Sequence, residues 1–87
     1  MRVRSAPPRM PARPRPARAR LDVAAGAVQQ AEETLRVVRD RYRNGEGPNT
    51  EVLDAETLRA QSVGNFDTAR YDLRLAELAL ARAIGAL

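Results

Sequence analysis

The chain has 87 residues, 44% of them hydrophobic and 30% charged, with a formal net charge of +4 and neither Cys nor His. That length limits it to one small domain, and the lack of Cys excludes disulfides and thiolate metal sites. The lack of His removes the commonest general base and metal ligand, so the composition points away from catalysis and away from any cofactor.

The charge is unevenly placed. Residues 1–20 hold seven Arg and no acid, whereas residues 21–87 hold eight Arg against eleven Asp or Glu. Five of the six prolines also fall in residues 1–20. Proline removes backbone donors and like charges repel, so this leader is predicted to be disordered. It reads either as a basic arm for nucleic acid or as a non-native leader. The second reading is preferred, because no aromatic is interleaved for base stacking and no nucleic acid partner is expected. The N-terminus lacks the apolar stretch of a secretory signal, and no apolar run is long enough for a transmembrane helix. On the chain as written, no route to the periplasm is visible.

From Leu21 the pattern changes. Leu21, Ala24, Val28, Ala31, Leu35, Val38 and Tyr42 recur at steps of three and four, a heptad seam. The spacing predicts a helix from Leu21 to Arg43. Asp22 near its start and Arg39, Arg41 and Arg43 near its end complement the helix dipole. The segment Asn44-Gly45-Glu46-Gly47-Pro48 then stops it. Gly45 suits a left-handed closing residue, and Pro48 disfavours helix at Gly47. Asn49 is the expected N-cap of the next helix.

The second helix is predicted from Thr50 to Ile84. Phe66, Ala69, Leu73, Ala76, Leu80, Ala83 and Leu87 carry its seam. Traced backwards, that seam meets Ser62 and Arg59 before Ala55 and Val52. With Gly64 and Asn65 nearby, a local irregularity is expected between Ser62 and Phe66. Gly85 is an ordinary terminator.

Tyr71, Leu75 and Leu78 lie off the seam, and Val23, Ala27, Thr34 and Val37 form a poorer second stripe on the first helix. A lone hairpin needs one apolar face per helix. A second face predicts neighbours on two sides, as in helices curled into a tube, although a plain bundle would also produce it. Two helices alone bury little surface against their ordering entropy. The isolated chain is therefore expected to be a marginal monomer or an oligomer.

The stretch Tyr42–Ala55, YRNGEGPNTEVLDA, together with the closing Ala83-Ile84-Gly85-Ala86-Leu87, resembles the hairpin tip and chain end of TolC-type outer-membrane efflux proteins. The resemblance covers residues 21–87 and implies an all-α fold: a long antiparallel helical hairpin forming a coiled-coil segment of an α-barrel, behind the disordered tail of residues 1–20. It implies the C-terminal part of a trimeric channel in the cell outer membrane, on its periplasmic side. The implied partners are a periplasmic adaptor and an inner-membrane pump. Gly45, Glu46, Gly47, Pro48, Val52 and Leu53 match the adaptor-contact tip. Val52 and Leu53 are as a pair better suited to packing within the hairpin. Glu51 and Asp54 match entrance carboxylates, equally explained as N-terminal helix charges. Tyr42 matches an entrance aromatic and also continues the seam. Gly47 and Pro48 depart from the residues of the best-known member, which puts a similar salt-bridged entrance latch in doubt. The alternative function is a stand-alone coiled-coil interaction protein with a basic arm.

Overall fold

The computed structural model describes residues 16–85. Two helices account for nearly all of them: α1 (Ala17–Arg43) and α2 (Asn49–Ala83), with no strand among the described residues. They lie antiparallel and side by side, joined by Asn44–Pro48. At 1.5 Å per residue they span about 40 and 52 Å. The all-α hairpin read from the periodicity is the observed fold.

Helix α1 begins four residues earlier than the heptads predict. Pro16 is the last proline of the leader, and its φ of −54° suits a helix entry. Ala17, Arg18, Ala19 and Arg20 are all strong helix formers, and the Arg20 amide donates to the Pro16 carbonyl at 3.0 Å. Residues 17–20 are thus helical rather than part of a disordered tail. The rest of the expected tail lies outside the described residues.

The core is a narrow line along the seam. Ala31, Leu35, Val52, Ala55, Ser62 and Ala69 are buried, and Val38 packs against Leu35, Val52 and Ala55 near the turn. Apart from Leu35 and Val52, these side chains are small, which lets the two backbones approach closely. The expected irregularity near Ser62 does not occur: α2 runs unbroken from Asn49 to Ala83. Ser62 is small enough to sit inside the seam at 6% exposure. Gly64 faces open space, and its cost of about 1 kcal/mol does not interrupt a long packed helix.

Ion pairs stitch the helices beside the core. Arg39 Nη2 lies 3.1 Å from Glu56 Oε2, Arg59 Nε 3.7 Å from Glu32 Oε2, and Arg41 Nη1 2.9 Å from Glu51 Oε1. Their partners report an antiparallel register, in which each step down α1 matches one step up α2. At the far end Leu21 borders the same groove as Tyr71 and Leu73. Because α1 begins at Ala17, the last turns of α2 have no described α1 residue opposite them. The seam positions Leu80 and Ala83 in this stretch are exposed, Leu80 at 64%, and Ala76, level with the start of α1, is exposed too. Tyr42 is also exposed, at 49%, rather than packed in the seam. In this register it lies level with Thr50, which is too small and too near the start of α2 to cover it. Leu87 lies outside the described residues.

Candidate functional site: the hairpin tip and the outer flank of α2

The tip is shaped first by how α1 ends. The Gly45 amide donates to the Tyr42 carbonyl at 3.1 Å, and the Glu46 amide donates to the Arg41 carbonyl at 2.7 Å. Gly45 has φ of +72°, so the pair of bonds forms a Schellman closure. Glycine supplies that conformation at least cost. Pro48 then takes an extended backbone, φ −77° and ψ 157°, and occupies the cap position of α2. Asn49 is therefore the first helical residue and not the N-cap. The extended backbone of Pro48 is the usual conformation of a cap residue, and the helix starts at the residue after it.

The tip residues named from sequence separate into three environments. Glu46 and Pro48 are exposed beside Gly45, and Gly47 is half-buried. Val52 and Leu53 do not share a fate: Val52 is buried at 8% against Leu35, while Leu53 is 52% exposed. Burial removes Val52 from any surface a partner can touch. Glu51 is held in its ion pair with Arg41, whereas Asp54 is exposed and makes no ion pair among the described residues. The two carboxylates share a helix face but only Asp54 is unengaged. Sequence reasoning missed Arg41 as a tip residue, because its partner lies across the turn, ten positions away. Antiparallel pairing about Glu46 was the signal that locates it.

The second feature is the outer flank of α2. Tyr71, Leu75 and Leu78 are 66%, 48% and 47% exposed, so the second stripe stands in solvent. Leu53, Ala60 and Gly64 also fall on b and f heptad positions opposite the seam, but Asp54, Thr57, Gln61, Asp67 and Thr68 on the same face break the stripe before the tip. On α1, Val23 and Val37 are exposed at 55% and 41%. Both stripes read from the sequence are present, and neither is covered within the hairpin.

No cluster of three or more acidic, His or Cys side chains able to hold a metal occurs among the described residues. No described helix is long and apolar enough to cross a membrane. The grooves beside the seam are shallow and lined by paired charges such as Glu32, Arg36, Arg39 and Arg59.

These features define a class, the long antiparallel helical hairpin with an exposed tip and an exposed apolar stripe on α2. The family model described as outer membrane efflux protein matches residues 14–86, and the chain belongs to that family. The family consists of channels rather than enzymes. The match takes in residues 14–20, in agreement with the early start of α1. Comparison with curated proteins and with solved structures gives no match.

Proposed function

We propose that this hairpin contributes wall and adaptor-facing tip to the periplasmic α-barrel of an outer-membrane efflux channel, through which small molecules or proteins are exported. The carrying observation is the exposed apolar stripe of Tyr71, Leu75 and Leu78 on α2, opposite its seam. Large apolar side chains left in water at roughly 25 cal/mol per Å² favour a further helix at that flank. In this reading the neighbour is another hairpin of a trimeric α-barrel in the outer membrane's periplasmic portion. Gly45, Glu46, Pro48 and Leu53 meet the hairpin of a periplasmic adaptor coupled to an inner-membrane pump. Asp54 and Tyr42 face the entrance, and Glu51 serves the turn itself through Arg41.

The test exploits the absence of Cys from the chain. A single cysteine is placed at Glu46→Cys or, as control, at Arg36→Cys on the helix. Each chain is directed to the periplasm with an adaptor carrying one cysteine at its hairpin tip. Disulfide trapping at position 46 and not at 36 is the expected result. Equal trapping at both, or none at 46, overturns the tip assignment.

A further inference from the structure

The turn contains a second arrangement, which the docking reading leaves unused. Arg41 engages Glu46 twice: its carbonyl accepts the Glu46 amide at 2.7 Å, and its Nη2 donates to the Glu46 carbonyl at 3.1 Å. Its Nη1 also donates to Glu51 Oε1 at 2.9 Å. One guanidinium therefore ties the last turn of α1 to the middle of the loop and to the first turn of α2. A planar group with several fixed donors suits that task, and a lysine ammonium does not reproduce it.

Gly47 completes the arrangement by what it lacks. A Cβ at Gly47 would lie 2.8 Å from Glu51 Oε1, 3.3 Å from Arg41 Cζ and 3.4 Å from Arg41 Nη2. Any side chain there pushes directly on the ion pair. By contrast, a Cβ at Gly45 meets nothing within 4 Å, so Gly45 matters for its φ, whereas a Cβ at Gly47 displaces the ends of the Arg41 and Glu51 side chains. The other ion pairs of α1 run along the helix, as Arg36–Glu33 does, or cross to α2, as Arg39–Glu56 does, whereas Arg41 also reaches the loop backbone.

We infer that Arg41, Glu51 and Gly47 form a clasp that sets the path of the turn, with Arg41 as its positioning residue. The clasp holds the Gly45–Glu46 backbone in one shape before any partner arrives. A preformed loop avoids the ordering cost that a mobile one meets on docking. That consequence rests on the docking reading above, while the clasp itself is a property of the hairpin alone.

Amide hydrogen exchange on the 87-residue chain tests it, reading the Glu46 amide relative to the Leu35 amide in the core. Arg41→Gln and Gly47→Ala are each expected to speed Glu46 exchange by about two- to fivefold over Leu35, the range of an exposed ion pair. The double variant is expected to go no further than the stronger single, because both remove the same contact. Arg41→Lys should fall between wild type and Arg41→Gln. Glu46 exchange that merely tracks Leu35 in every variant overturns the clasp, as do Arg41→Gln and Gly47→Ala effects that multiply. If Gly47→Ala does not fold, the Gln and Lys variants at position 41 decide alone. No partner enters the measurement, so a failed docking reading and a failed clasp are separate results.

Discussion

Arg59 occupies a seam position between Ala55 and Ser62, yet its Nε reaches out of the seam to lie 3.7 Å from Glu32 Oε2 on α1. The long stem covers the neighbouring core while the charge stays near water, with the side chain 46% exposed. A charge at a core-facing heptad position is thereby tolerated without a buried unpaired group, and no buried side-chain polar atom lacks a partner among the described residues.

Arg59→Leu is expected to stabilise the hairpin by about 1 kcal/mol. An exposed ion pair is worth at most about that much, and a leucine at the site buries more apolar surface. A rise in the thermal midpoint followed by circular dichroism checks the sign, and a fall would show that the Glu32 contact outweighs the added burial.

Leu35 is the largest buried side chain beside Val52, and both sit near the turn. Leu35→Ala should cost about 2–3 kcal/mol, the usual range for a core leucine. In a two-helix chain that is enough to abolish a cooperative melt. Leu53→Ala, on the exposed side of α2, should cost less than about 0.5 kcal/mol. Urea titration of both variants separates packing from surface.

Two glycines should respond in opposite directions. Gly45→Ala forces an alanine into φ of +72° and should destabilise by about 1 kcal/mol. Gly64→Ala meets no atom within 4 Å in an ordinary helical position and should stabilise the isolated chain by about 1 kcal/mol. Gly64 also lies on the outer flank, so the same change should weaken association if neighbouring helices approach there. Comparing the melt of dilute chain with sedimentation at high concentration reads both effects.

The outer flank should drive self-association of the isolated chain. Leu75→Glu places a charge amid Tyr71 and Leu78 without touching the seam. It is expected to shift sedimentation toward monomer while leaving helix content of the monomer unchanged. Unaltered association would locate the contact elsewhere.

Acid should weaken α1 locally. Glu33 sits below the ordinary glutamate range, chiefly because Arg36 donates hydrogen bonds to it and secondarily through that cation's charge. A carboxylate with a depressed folded value adds stability above its unfolded pKa. That stability is lost as pH falls through the ordinary glutamate range toward the lower folded value. The group is fully exposed, so the effect is small. Glu33→Gln should flatten that part of the acid dependence of the melting midpoint, and an unchanged profile would exclude the pair as its source.

The position of the helices was legible in the sequence because a three-four apolar spacing buries one stripe and little else. The bend at Gly45 followed from a glycine and a proline set between two such stripes. Less legible were the ends. Ala17–Arg20 looked like the basic leader by charge, but without proline they are helix formers and continue α1. Asn49 has the side chain of a cap, but Pro48 takes that position with its extended backbone. Val52 and Leu53, alike in sequence, part company because adjacent helical residues point about 100° apart and only one of those directions holds α1.

Taken alone, the sequence determined two antiparallel helices, the place where they turn, and a second apolar stripe awaiting company. Those features depend on periodicity and backbone preference, which are local. Tertiary structure alone decided that Arg41 reaches Glu51 and the Glu46 carbonyl, that Gly47 lies against the ends of both side chains, and that the end of α2 outruns α1. Such relationships join residues on different helices, and their geometry exists only once the register between the two is set.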